Sequence, residues 1–275
     1  MLRGLLLCVA LLLGACASQK GIDDRGAYLV DTRQVARAAF PRVKILVIHY
    51  TAGDFDSSLE TLLGQQVSAH YLVPEYPPVH RGKPMVWQLV PENDVAWHAG
   101  ISYWRGTAHI NDTSVGIELE NKGWTLEHGR KQFWPFSPLQ IKVLIPLAKD
   151  IIQRYHIAPW NVVAHSDIAP QRKDDPGPCF PWEALANAGI GAWPDPSRVA
   201  FYLAGRPYEQ PVDTGKLLGL LSQYGYEVTP QMTPAQQQRV ISVFQMHFRP
   251  ARYDGVADAQ TEASARALLE KYGAR

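Results

Sequence analysis

Two histidines stand where apolar strands run out, and their placement is the first chemical signal in the chain. Val43 to Tyr50 reads Val-Lys-Ile-Leu-Val-Ile-His-Tyr with His49 near its end, and Asn161-Val-Val-Ala-His165 closes on a second imidazole. A lone histidine at the end of a buried strand is more often a hydrogen-bonded core residue than a ligand. Here, however, His165 is followed by a loop containing Lys173-Asp174-Asp175-Pro176-Gly177-Pro178. Two imidazoles and one carboxylate on converging strand ends make a three-ligand zinc site with a position left for water, the catalytic type. On chemistry and spacing alone Asp174 serves as well as Asp175.

Such ligands need a rigid scaffold. The Val43–Tyr50 run is β-branched and does not alternate, as expected of a strand covered on both faces. Shorter strand-like runs lie at Ser68 to Val73, Met85 to Val90, Val115 to Leu119 and Asn161 to His165, each bounded by Gly, Pro or Asn. One helix is clear between them: Ser137 as N-cap, Pro138 at the first position, and Gln140 completing a capping box. Ile141, Leu144, Ile145, Ala148, Ile151, Ile152 and Tyr155 then recur at helical spacing, and Pro146 is expected to kink the helix without ending it. The pattern predicts an α/β fold, a central mixed β-sheet flanked by helices, over residues 41–188. Gly189, Gly191, Pro194, Pro196, Gly205, Pro207 and Pro211 then mark a connector over 189–211. Beyond it Asp213 caps a helix closed by Gly225, Thr233 and Gln236 form a capping box, and Asp258 opens a last helix closed by Gly273. Residues 212–275 thus read as a small C-terminal three-helix domain.

With 46% hydrophobic and 19% charged residues, the 275-residue chain is neither disordered nor fibrous. Its formal charge of +1 falls to zero once Arg3 of the leader is set aside, which leaves no electrostatic footprint for nucleic acid. Arg3, the apolar run Leu5 to Leu13 and the small pair Gly14-Ala15 form a secretory signal peptide over residues 1–15, too short for a membrane span. Leu13-Gly14-Ala15-Cys16 resembles the bacterial lipobox, which implies that Cys16 is lipidated and becomes the new N-terminus. Residues 16–40 are then a tether and lead-in. Ala17 rather than aspartate after the cysteine favours, by resemblance to Gram-negative sorting, an outer-membrane lipoprotein facing the periplasm.

Five motifs in order carry a family resemblance: Ile45-Leu-Val-Ile-His-Tyr-Thr51, Ser68-Ala-His-Tyr-Leu-Val73, Ala96-Trp-His-Ala-Gly100, Asn111-Asp-Thr-Ser-Val-Gly-Ile-Glu-Leu-Glu120, and Ala164-His-Ser-Asp-Ile-Ala-Pro170 with Arg172 to Pro178. The chain resembles the type 2 N-acetylmuramoyl-L-alanine amidases, a family shared with phage amidases and peptidoglycan recognition proteins. The resemblance implies one Zn²⁺ ion on His49, His165 and Asp175, which selects Asp175 over Asp174. It implies Glu118 as general base and Lys173 as the group that stabilises the oxyanion. The implied reaction is cleavage of the amide between N-acetylmuramic acid and L-alanine in peptidoglycan and muropeptides, at the outer membrane.

Other residues are candidates for lesser roles. Trp97, Trp104 and Arg105 are read as lining a glycan and peptide groove or as packing, and His98 and His70 as touching substrate or bracing the site. Cys179 is expected to be a buried or partly buried free thiol. In the C-terminal region Val240-Ile-Ser-Val-Phe-Gln-Met-His-Phe248 and Tyr253 to Thr261 resemble the signatures of a three-helix peptidoglycan-binding domain, with a helical cap on the catalytic fold as the rival reading. A relative of this fold with a dead site would bind peptidoglycan without cutting it. Such relatives typically lose the acidic or thiol ligand, whereas Asp175, Glu118 and Lys173 are all present.

Overall fold

The computed structural model describes residues 21–273, so the expected leader and Cys16 lie outside the described residues. The described residues divide into two compact units, one ending at Phe40 and one beginning at Pro41. In the first, Ile22–Asp24 pairs with Leu29–Asp31 as a short antiparallel hairpin.

The second unit is built on a five-stranded sheet. Its strands are β1 (Ile45–Tyr50), β2 (Tyr71–Val73), β3 (Trp87–Gln88), β4 (Ser114–Leu119) and β5 (Val162–Ala164), in the spatial order β5-β1-β4-β2-β3. The first four strands of that order run parallel, and β3 pairs antiparallel at the edge. The mixed sheet is the one expected, but two of the outer strands shrink to three and two residues. Around it lie α1 (Phe55–Leu62), α2 (Pro138–Tyr155), α3 (His165–Ile168), α4 (Trp182–Asn187), α5 (Pro196–Leu203), α6 (Thr214–Tyr224), α7 (Pro234–Phe248) and α8 (Ala259–Tyr272).

Alternation of side chains across the sheet gives its two faces different work. Leu46 and Ile48 of β1 with Val115, Ile117 and Leu119 of β4 pack on Leu144, Ala148 and Ile151 of α2 and on Trp182 and Leu185 of α4. The opposite face of β1 and β5 presents Ile45, Val47 and Val163, which pack against Leu217 and Leu221 of α6 and Val240 and Phe244 of α7. The same face of β4 holds Ser114, Gly116 and Glu118, in register with Ile45, Val47 and His49. A polar, small-residue stripe therefore opens beside an apolar one, and the functional side chains gather there.

Two local expectations change. Ser137 caps α2 by accepting from the Leu139 N–H, but Gln140 does not close a capping box. Its buried amide donates instead to the Val73 and Glu120 carbonyls at 3.0 and 2.9 Å, tying the start of α2 to the ends of β2 and β4. The 189–211 segment also contains a helix, α5, whose cap Asp195 accepts from the Ser197 N–H at 2.8 Å with Pro196 at the first turn. The caps of α6, α7 and α8 at Asp213, Thr233–Gln236 and Asp258 are those expected, and α2 runs on through Pro146.

Candidate metal centre and catalytic cleft

His49 is the next-to-last residue of β1, and Glu118 is its register partner on β4. His165 begins α3 directly after β5, the other neighbour of β1. Asp175 arrives on the loop after α3, and its carbonyl accepts from the Ser166 N–H at 2.9 Å. Three separate segments thus bring His49 Nδ1, His165 Nδ1 and Asp175 Oδ2 to one point. The two nitrogens lie 2.9 Å apart, and the carboxylate oxygen stands 3.0 and 3.1 Å from them. All three side chains are buried. Asp174 points the other way, to the Lys131 ammonium and the Arg239 guanidinium.

The hydrogen bonds behind the imidazoles say which nitrogens are bare. The Ser114 hydroxyl donates its one proton to the Ile110 carbonyl at 2.6 Å, so its oxygen accepts from His98 Nε2–H at 3.0 Å. The other nitrogen of neutral His98 must then accept, and it takes the His49 Nε2–H at 3.0 Å. Burial, reinforced by the neighbouring histidines, keeps His98 neutral, and burial with His165 beside it pushes His49 down to about 4. His49 Nδ1 is therefore a lone pair. His165 Nε2–H donates to the Ala99 carbonyl at 3.1 Å, which leaves its Nδ1 bare in the neutral form. Two bare nitrogens and a carboxylate oxygen facing one point repel one another unless a cation lies between them. The donor set fits a divalent metal, with the outer N–H groups held as metal-binding histidines require. Burial works against ionisation of Asp175, but positive charge on the His165 and His49 side, with protons donated to its oxygen, holds the carboxyl far below the usual range, so the point between the three groups calls for a proton or a cation.

His98 is consequently a brace behind His49. The ring leaves no room on β4, since a Cβ on Gly116 would meet His98 Cγ at 2.5 Å. Replacing His98 by leucine removes the acceptor that orients His49, and metal affinity is expected to fall about 10–100-fold. Competition with a chelator measures this, and unchanged affinity contradicts the relay. His70 is structural too: its Nδ1 accepts from the Gly116 N–H at 3.0 Å and its Nε2 donates to the Asp94 carbonyl at 3.3 Å.

A cavity of about 390 Å³ opens beside the three ligands, lined by Glu118, Lys173, Arg172, Tyr50, Trp97 and Trp124 among others. Glu118 Oε2 is buried and has no hydrogen-bond partner among the described residues. Burial, then the nearby Asp175 charge, raises its carboxyl to about 8, with Lys173 opposing. The Lys173 ammonium lines the cavity and makes no ion pair among the described residues. Trp97 stands at the rim, 67% exposed. Trp104 and Arg105 do not line this cavity. Trp104 is buried against Tyr224 and Tyr226, while Arg105 donates to the Tyr224 carbonyl and lies over Trp160. Arg105 thus packs away from this cavity. Cys179 is a free thiol on a residue with much of its surface exposed, and its Sγ donates to the Phe133 carbonyl at 3.5 Å.

Several supports lie inside the quoted motifs without a role having been assigned to them. The Asn111 side chain accepts from the His98 and Ala99 N–H groups at 3.1 and 2.8 Å. Arg172 donates to the Ala99 and Ile101 carbonyls at 3.1 and 2.6 Å, fixing the segment that receives the His165 N–H. Asp167 accepts from the Ala164 N–H, the Tyr226 hydroxyl and His247, pinning the turn that starts with His165 to α7.

Comparison with known proteins agrees with this geometry. A family model described as N-acetylmuramoyl-L-alanine amidase matches residues 39–178. The N-acetylmuramoyl-L-alanine amidase AmiD of Escherichia coli K12 is 66% identical over 98% of this chain and 97% of its own. The structure of the E. coli AmiD complex with the substrate anhydro-N-acetylmuramic acid-L-Ala-D-gamma-Glu-L-Lys superposes with a TM-score of 0.90 at 67% identity, covering 93% of this chain and 99% of that one. AMPDH3 from Pseudomonas aeruginosa, in complex with anhydromuramic pentapeptide, gives a TM-score of 0.81 at 40% identity over 92% and 99% of the two chains. A metal-ready triad on a mixed sheet, a free carboxylate beside it and relatives matched end to end place the chain in the N-acetylmuramoyl-L-alanine amidase family.

Proposed function

We propose that this protein hydrolyses the amide between N-acetylmuramic acid and L-alanine in peptidoglycan and muropeptides, with one zinc ion held by His49, His165 and Asp175. The observation that carries the reading is the convergence of three bare donor atoms next to the unpartnered Glu118 carboxylate. The muramoyl peptide in the E. coli AmiD structure supports the substrate class.

Zinc, when bound, supplies the Lewis acidity that makes water nucleophilic near neutral pH. The chain's own groups do the rest. Glu118, raised toward neutrality by burial and by Asp175, accepts the proton of the attacking water. As the muramoyl carbonyl carbon becomes tetrahedral its oxygen gains negative charge, and the Lys173 ammonium in the cleft wall stabilises it. When the C–N bond breaks, the proton held by Glu118 passes to the L-alanine nitrogen, leaving a muramoyl carboxylate and a peptide with a free amino terminus. Trp97 at the rim offers a flat face to sugar or peptide.

Glu118→Gln keeps the side chain's size and touches no ligand, so metal should stay while turnover falls about 10²–10⁴-fold. In the parent protein activity should rise with pH as Glu118 ionises, along a limb lying below about 8 because a bound dication favours the carboxylate. That limb should vanish in the variant. Metal content, melting temperature and a pH–rate profile on one preparation check this, and near-normal turnover with bound zinc removes Glu118 from the mechanism.

Two further readings belong to the proposal. Periplasmic action from a lipid anchor at Cys16 in the outer membrane follows from the leader, and fractionation of Cys16→Ser tests it. The helices at 212–275, a peptidoglycan-binding-like domain by motif, are also the cover over one face of the catalytic sheet.

A further inference from the structure

We propose that Arg239, on α7 of the C-terminal helical region, is a positioning residue that holds the loop Pro170–Asp174 from behind and so aims Lys173 into the cleft. The inference rests on the amidase reading of Lys173. Between Ala169, whose carbonyl accepts from the Arg172 and Lys173 N–H groups, and Asp175, fixed among the histidines, the carbonyls of Pro170 and Lys173 accept from no backbone N–H among the described residues. Among the described residues both are met by one side chain. Arg239 Nε donates to the Pro170 carbonyl at 2.8 Å, and Nη2 donates to the Lys173 carbonyl at 2.5 Å and to the Asp174 carboxylate.

A guanidinium suits this task because its donors are fixed in a plane and reach several acceptors at once, where an ammonium is a point charge on a flexible stem. Arg239 is only a quarter exposed and Asp174 less, so the ion pair is partly shielded from water. Two neighbours support the same loop. Gln171 donates to the Gln236 carbonyl one turn earlier on α7, at 3.1 Å. Lys131, stacked on the Trp124 ring at 4.2 Å, pairs with Asp174 from the other side. The backbone of Lys173 is therefore fixed by a helix distant in sequence, while its ammonium remains free among the described residues. A flexible four-carbon side chain loses its aim when its backbone drifts, and misplacement by about 1 Å can cost on the order of 10²-fold in rate.

The test compares the full chain, zinc-loaded, as parent, R239Q, K173M and the double variant, with the anhydro-N-acetylmuramic acid tripeptide as substrate. R239Q should lower kcat roughly tenfold to hundredfold, with KM, zinc content and melting temperature little changed. In the K173M background the same substitution should cost nothing more, because residues that act as one unit are not additive. Should R239Q melt early, R239K, which keeps the charge but loses the planar fork, is expected to show the same non-additivity with K173M. Equal losses from the Arg239 substitution in both backgrounds, or an undiminished kcat, overturn the clamp. Full activity in K173M overturns the role of Lys173 and the clamp with it, a pattern distinct from loss of the zinc site.

Discussion

Asp175→Asn is expected to lose bound zinc and to fall by more than about 10⁴-fold in turnover, beyond the 10²–10⁴ that a general base supplies. Asparagine matches the shape of aspartate, so packing around the loop is kept. What disappears is the sole anionic ligand and the charge that offsets a dication in a buried site. The two imidazoles that remain present neutral lone pairs to a site without a counter-charge. Asp174→Asn is the control: its carboxylate pairs with Lys131 and Arg239, so metal should stay. Elemental analysis of both variants decides the matter, and stoichiometric zinc in Asp175→Asn refutes the ligand assignment.

Part of this site could be read from one dimension. His49 and His165 were visible because each ends an apolar run, and a parallel strand buried on both faces shows as such a run. The choice between Asp174 and Asp175 was not visible in spacing, since adjacent loop carboxylates differ only in direction, which the packing around the loop decides. Gln140 sat at a capping position, yet burial between β2 and β4 made two strand carbonyls its better partners. The relay from Ile110 through Ser114 and His98 to His49 depends on strand register and on Gly116 leaving room for a ring, and neither has a local signature. Arg239 was silent for the same reason: its partners lie 65 to 69 residues away in the chain. The α5 helix was legible in Asp195-Pro196, a cap followed by a first-turn proline, but the surrounding glycines and prolines obscured it.

A chain ending after residue 211 is expected not to hold a folded catalytic sheet. Removing α6, α7 and α8 uncovers Ile45, Val47, Trp104, Ile110, Val163 and Ile168, all buried in the core those helices complete. At about 1.5–3 kcal/mol for each large apolar side chain returned to water, the loss is on the order of 10 kcal/mol. That equals the whole stability of an ordinary domain. The same cut removes Tyr226 and His247 from Asp167, leaving a buried carboxylate short of two partners next to His165. Circular dichroism and a thermal melt of the truncated chain check this, the expected result being no cooperative transition near that of the full protein. A truncated chain that melts cooperatively and binds zinc would show that the sheet stands without its helical cover.

The central claim is that a water molecule, activated at this triad, adds to the muramoyl carbonyl and releases the stem peptide. The most direct test is to incubate the zinc-loaded protein with a defined muramoyl peptide in heavy-oxygen water and weigh the products by mass spectrometry. The account predicts two products, a peptide with a free L-alanine amino terminus and a muramic acid that carries the heavy oxygen in its new carboxylate. Cleavage at any other bond, heavy oxygen in the peptide, or tight binding of the intact muropeptide with no product would contradict it.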